Sequence, residues 1–154
     1  MEKSLILVKP DGLQRGLVGE IISRFERKGL KIIGLKMLSI EDATLEAHYD
    51  FLVDKPFFKE IKDYMQSSPI IAIALEGGEG SVSAIRILVG PRLGQEAPAG
   101  TIRGDFGLTG SNNIVHASDS VENGRIEVDR FFDGNELFEY TKTDFEHIYG
   151  REAK

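Results

Sequence analysis

The stretch SLILVKPDGLQRGLVGEIISRFERKGLKIIGLKML, residues 4–38, decides the fold class. It opens on a short apolar run, SLILV (4–8), that reads as a buried strand. The segment GLVGEIISRFERKG (16–29) then places Leu17, Val18, Ile21, Ile22 and Phe25 at helical spacing. Arg24, Glu26, Arg27 and Lys28 form its wet side, and Gly29 supplies a stop. LKIIGLKML (30–38) returns to strand. Strand, amphipathic helix, strand within 35 residues predicts an α/β chain.

Downstream segments continue the alternation. SIEDATLEAHYDFLV (39–53) predicts a helix capped by Ser39 or Asp42, and PFFKEIKDYMQS (56–67) a second, with Pro56 near its first turn. PIIAIALEG (69–77) predicts a strand closed by glycine, and SVSAIRILVG (81–90) a helix presenting Val82, Ile85, Leu88 and Val89. Residues 90–113 break the rhythm with six of the 17 glycines and two of the five prolines. So long a loop in a small domain is usually functional. NIVHA (113–117) predicts the last core strand. DSVENGRIEVDRFF (119–132) predicts a final helix, with Asp119 and Glu122 spaced as a capping box. The order predicts one α/β sandwich spanning residues 1–154, with helices packed on a sheet. Pattern alone does not separate a split β-α-β layout from a parallel sheet.

Composition narrows the function classes. The chain is 41% hydrophobic, enough for a core, and no apolar run approaches the roughly 20 residues of a membrane helix. The run Leu5–Val8 is too short for a signal-peptide core, so the chain reads as soluble and cytoplasmic. Without cysteine, disulfides and thiolate metal sites are excluded. A net charge of −6 argues against nucleic acid as a partner, while leaving room for a local basic pocket that takes a small anion.

Several motifs have bland readings. GGEG (77–80) lacks the Gly-Lys-Ser/Thr ending of a P-loop and reads as a strand-to-helix turn. DFG (105–107) has no kinase catalytic loop beside it. His48, His116 and His147 share no metal-ligand spacing with acids, so no metal site built from protein side chains is expected. His116 alone is a structural histidine by default. Its surroundings point elsewhere. Arg103 lies in the glycine-rich GTIRGDFG (100–107), where backbone can approach a ligand closely. Arg86 interrupts the apolar side of its helix as a buried ion-pair partner or an anion clamp. Lys9 ends the first strand, where α/β proteins often place ligands, or is simply solvated. If these converge, they supply the charge neutralisation that phosphoryl transfer needs around one imidazole. Nearby cations hold an imidazole neutral, leaving one nitrogen to attack while the other donates to an acceptor. Glu127 is the candidate acceptor, or a solvated helix carboxylate.

The blocks KPDGLQRGLVGEI (9–21), HYDFLVDKPFF (48–58), GTIRGDF (100–106) and NIVHASDS (113–120) make the chain resemble nucleoside diphosphate kinases nearly end to end. The resemblance implies a ferredoxin-like α/β sandwich with an antiparallel sheet. It implies a ping-pong transfer of the terminal phosphate of a nucleoside triphosphate, through histidine, to a nucleoside diphosphate. Magnesium accompanies the nucleotide. By position, His116 is the implied nucleophile, supported by Glu127 and Ser118. Arg86 and Arg103 are implied phosphate contacts, Lys9 and Asn113 ribose and phosphate contacts, and Tyr49 the residue ordering the lysine. Phe57 is the implied platform for the base; stacking discriminates little, so broad base tolerance is expected. The family usually has threonine where Arg92 stands. Arg92 either adds a cation to the pocket or points to solvent and leaves that contact missing. Asn112 replaces a usual arginine, Gly110 an apolar residue beside the base, Ala117 a glycine, and Gly94 a proline tied to hexamer packing. The long end FEHIYG favours a hexamer over a tetramer. Two rival readings stay open: a histidine phosphocarrier serving another protein, and a non-catalytic nucleotide-binding assembly.

Overall fold

A computed structural model describes residues 1–150. Its four strands are β1 (Glu2–Val8), β2 (Lys31–Leu38), β3 (Ile70–Gly77) and β4 (Val115–Ala117). They form one antiparallel sheet in the order β2-β3-β1-β4. This is the ferredoxin-like arrangement, so the parallel alternative is set aside. The helices are α1 (Pro10–Gln14), α2 (Val18–Arg27), α3 (Asp42–His48), α4 (Phe58–Met65), α5 (Ser81–Val89), α6 (Ile102–Phe106), α7 (Val121–Phe131) and α8 (Phe145–Tyr149).

Helices cover both faces of the sheet, which explains the uninterrupted apolar runs. On β1, Ile6 and Val8 join Ile21, Phe25, Ile85 and Val89 in one core, while Leu5 and Leu7 join Leu45, Met65, Val128 and Phe131 in the other. Along the central strand β1, residues from Ser4 to Val8 are therefore buried whichever way they point, and alternation with polar residues disappears. At Gly124 a Cβ would lie 2.0 Å from the Lys3 carbonyl oxygen. Only glycine lets α7 lie this close to β1, and that closeness brings Glu127, one turn later, down to the sheet.

Several local expectations are corrected. Ser120, rather than Asp119, caps α7: its side chain accepts from Asn123 N at 3.1 Å, and Asp119 takes the Asn123 side-chain amide at 2.6 Å. The N-cap of α3 is Glu41 rather than Ser39 or Asp42, with no side-chain cap bond. Pro56 lies outside α4, whose N-cap is Phe57. The glycine-rich segment 90–113 carries α6 and a 3-10 turn at Gly94–Glu96. At GGEG the strand-to-helix turn is present, and the Glu2 carboxylate accepts from Gly80 N at 2.9 Å and Val82 N at 2.8 Å. A carboxylate thus already occupies the place where a phosphate would sit.

Candidate active site

Strand register places the central histidine. Leu7 stands directly opposite His116 in the antiparallel β1–β4 pair, so both side chains point to the same face. That face is covered by α7. Glu127 Oε2 lies 2.9 Å from His116 Nε2 and accepts from Ser118 Oγ at 2.6 Å. Ser118 is fully buried and accepts in turn from Leu5 N at 2.9 Å, tying the carboxylate to the sheet. The Glu127 side chain is 14% exposed and that of His116 20%, so a ligand can reach the ring from one side.

The tautomer follows from these contacts. An ionised carboxylate only accepts hydrogen bonds, so Nε2 carries the proton and Nδ1 keeps its lone pair. Burial lowers the His116 pKa first of all; the hydrogen bond and charge of Glu127 oppose this, and Lys9 and Arg103 add to the lowering. For Glu127 burial works upward, yet the bonds from His116 and Ser118 hold its pKa below the usual carboxylate value. A neutral, nucleophilic ring beside an ionised carboxylate is the resting state at neutral pH.

The cations converge as the sequence suggested. Lys9 Nζ donates to Asn113 Oδ1 at 2.7 Å. Burial, then Arg103, with a smaller contribution from Arg92 and against Asp11, brings its pKa down to about 8. Arg103 is 5% exposed and donates to Asn113 O at 3.2 Å, Gly90 O at 3.1 Å and Val115 O at 2.7 Å. It fastens the glycine-rich segment to β4 and leaves two of its five donors for a ligand. Its pKa is pushed down to about 10 by burial and then by Arg86 and Arg92. Arg86 donates to Ala117 O at 3.1 Å from α5. Among the described residues, Arg86, Arg92 and Arg103 have no carboxylate within salt-bridge range. In a chain of net charge −6, uncompensated guanidiniums gathered at one place call for an anion.

Tyr49 packs edge-on against His48, with ring centroids 4.8 Å apart, while the lysine's hydrogen-bond partner is Asn113. Burial pushes the Tyr49 phenol up to about 12. Phe57 stands apart from the hydrogen-bonded web at the N-cap of α4, and the residue is 45% exposed.

Four contributors had no readable sequence signal. His48, at the end of α3, packs edge-to-face on His116 with centroids 4.5 Å apart. Arg130 Nη1 lies 3.2 Å from His48 Nδ1, and arginine only donates, so His48 carries its proton on Nε2. Burial, then His116, drives the His48 pKa down to about 3, with Arg130 and Lys9 adding to the effect and Glu127 opposing it. His48 and His116, distant in the chain, thus meet at the site. Asp11 accepts from Ile114 N at 3.0 Å and from the Tyr64 hydroxyl, bracing the start of β4. Ile114 adopts φ +74°, with Val115 N bonded to Asn113 O at 2.8 Å. A β-branched residue in this region stores about 1–3 kcal/mol of strain. The kink separates Asn113, which serves the cations, from His116, which serves the carboxylate.

His48, His116 and Glu127 offer ligand atoms within 4.8 Å of one another. Part of this set already has partners: His48 Nδ1 faces Arg130, and Glu127 Oε2 takes His116 Nε2 and Ser118 Oγ. Two imidazoles and one carboxylate are a poor match to magnesium, which takes oxygen ligands.

The fold and the site define a class: an antiparallel α/β sandwich that surrounds one neutral imidazole with unpaired cations, suited to a polyphosphate. Comparison with known proteins makes this specific. The nucleoside diphosphate kinase family model matches residues 2–137. The nucleoside diphosphate kinase of Archaeoglobus fulgidus is 48% identical over 149 residues, covering 97% of this chain and 98% of that protein. That of Staphylothermus marinus is 50% identical over 139 residues, covering 90% and 98%. The crystal structure of a nucleoside diphosphate kinase family protein from Babesia bovis superposes with TM-score 0.93 at 43% identity, covering 97% of this chain and 100% of that one. A halophilic nucleoside diphosphate kinase from Halobacterium salinarum, solved in complex with CDP, gives 0.91 at 37% identity, covering 96% and 98%. The chain belongs to the nucleoside diphosphate kinase family and is a phosphotransferase acting on nucleotides.

Proposed function

We propose that the chain moves the terminal phosphate of a nucleoside triphosphate to a nucleoside diphosphate in two half-reactions, through phosphohistidine at His116. The observation that carries this is the His116 ring, with Nε2–H on Glu127 at 2.9 Å and a free Nδ1 lone pair amid cations that lack acidic partners. In the first half-reaction the Nδ1–P bond forms as the bond from phosphorus to the bridging oxygen breaks, and the electron pair leaves on the diphosphate. No proton need move, because Nε2 already bears one and Glu127 balances the charge that develops on the ring. A different nucleoside diphosphate then attacks the phosphohistidine, and the same bonds are exchanged in reverse.

Arg86, Arg92, Arg103 and Lys9 serve the phosphates, with Lys9 and Asn113 reaching the ribose as well. Ser118 holds Glu127, His48 packs on the His116 ring, and Tyr49, packed on His48, helps order Lys9. Phe57 gives the base a π face, which favours broad tolerance among ribo and deoxyribo substrates. Magnesium, carried by the phosphates, supplies further charge neutralisation when bound. The CDP bound to the halophilic relative supports a nucleotide in this site.

We also propose a cytoplasmic homo-oligomer, a hexamer in preference to a tetramer. The outer strand β2 leaves Leu35 52% and Met37 61% exposed, and an open apolar edge needs cover. Light scattering that found a monomer would remove that part.

The catalytic test uses ATP labelled on its terminal phosphate. The parent should acquire acid-labile label and His116→Ala none, with the fold intact by circular dichroism. Exchange between ATP and GDP, with no other protein present, should proceed in the parent and vanish in the variant. Equal labelling of both proteins ends the proposal, and labelling without exchange favours the phosphocarrier reading.

A further inference from the structure

Arg92 combines a fixed backbone with an unpaired head. Its carbonyl accepts from Asn113 Nδ2 at 3.3 Å, the same side chain whose Oδ1 holds Lys9 Nζ at 2.7 Å. The Asn113 carbonyl receives Arg103 Nε at 3.2 Å. One asparagine therefore ties three cationic residues together. The Arg92 guanidinium lies beside Gly110, next to the Leu93 side chain: a Cβ built on Gly110 would stand 3.6 Å from its Cζ and 3.7 Å from its Nη2. Residue 92 is exposed, and among the described residues its head has no acidic partner. Its field nevertheless reaches inward, since it contributes to the lowered pKa values of both Lys9 and Arg103.

A planar guanidinium on a tethered backbone, at the rim of a cluster that already holds Lys9, Arg86 and Arg103, is placed to take phosphate oxygens in a forked pair of bonds. We propose that Arg92 takes over part of the charge neutralisation otherwise left to the divalent cation, so that this chain holds a metal-free nucleoside diphosphate with a reduced penalty. This rests on the nucleotide reading above. The size of the effect follows from charge. Loss of one charged hydrogen-bonding group from a phosphate costs about 1.5–3 kcal/mol, or roughly tenfold and upward in Kd. Coulomb energy scales with the ligand's charge, and magnesium cancels two of the roughly three negative charges of a diphosphate. Arg92 therefore matters about three times less, in logarithmic terms, once the metal is bound.

The experiment is calorimetric titration of the intact protein with ADP, in excess Mg2+ and in EDTA, for the parent, Arg92→Thr and Arg92→Lys. Arg92→Thr should raise Kd about tenfold in EDTA and only about twofold in Mg2+. Arg92→Lys, which keeps the charge but loses the planar fork, should recover only part of the EDTA affinity. An equal shift in the two media, or no shift, overturns the role for Arg92 while leaving the phosphohistidine reading in place. A parent that binds no ADP in either medium, and takes no label at His116, defeats the nucleotide reading and this inference together.

Discussion

Replacing Glu127 with glutamine probes the pair at the centre of the site. The substitution keeps the shape and an acceptor oxygen but removes the charge. In the resting protein that charge holds His116 Nε2–H at 2.9 Å and Ser118 Oγ at 2.6 Å. When Nδ1 bonds to phosphorus, positive charge develops on the ring and its Nε2–H donates more strongly. A charged partner is worth about 1.5–3 kcal/mol there, and a neutral one about 0.5–1.5. The difference of about 1–2 kcal/mol corresponds to roughly a 5- to 30-fold slower phosphorylation step. Glu127 also raises the basicity of His116 against the effect of burial, so glutamine should lower the ring's pKa further. The acid limb of the rate profile should consequently move to lower pH, and the slowing should persist on the plateau. Rapid-quench measurement of a single turnover with labelled ATP reads both. A plateau rate within about twofold of the parent, or an acid limb displaced upward, would refute the role given to the carboxylate.

Three other expectations concern residues around this pair. Lys9 has its pKa brought down to about 8, so kcat/KM should fall as pH rises through that value and the lysine loses its charge. Lys9→Arg should carry the alkaline limb well upward, and an unmoved limb would assign it to another group. Phe57→Ala should raise KM for all bases by similar factors, because the exposed ring offers stacking without base-specific bonds; a loss confined to one base in a diphosphate panel would contradict this. His48 is held neutral down to about pH 3, whereas in the unfolded chain it titrates near 6.5. The stability this group contributes is fully present above about pH 6.5 and is lost progressively as pH falls toward 3, at about 1.4 kcal/mol per unit. Denaturant titrations at pH 7 and pH 5 should show the parent losing about 2 kcal/mol more than His48→Asn over that interval, and equal losses would exclude His48 as the source.

Periodicity in the sequence was enough to find the strands and principal helices, because a buried strand and an amphipathic helix impose local spacings that side chains must obey. It placed β1, α2, β2, β3, α5 and α7 to within a few residues. It misjudged caps and turns, where a single hydrogen bond decides and Ser120 competes with its neighbour Asp119. Strand order was beyond pattern, since β1 lies between β3 and β4 through contacts over 60 residues apart in the chain. The resemblance to a family supplied what periodicity lacked there, and the antiparallel sheet agrees with it.

By itself, then, the sequence determined which segments are strand and helix, the charge balance, and the candidacy of His116, Arg86, Arg103 and Lys9. Those properties reside in residue type and spacing along one dimension. Only the tertiary structure decided that Glu127 lies against Nε2, that Asn113 joins Lys9 to Arg103, and that His48 meets His116 under the hold of Arg130. Those contacts depend on strand register, on the close approach that Gly124 allows α7, and on the kink at Ile114. Each is a long-range packing outcome, settled when two cores close on the sheet and not by neighbours in the chain.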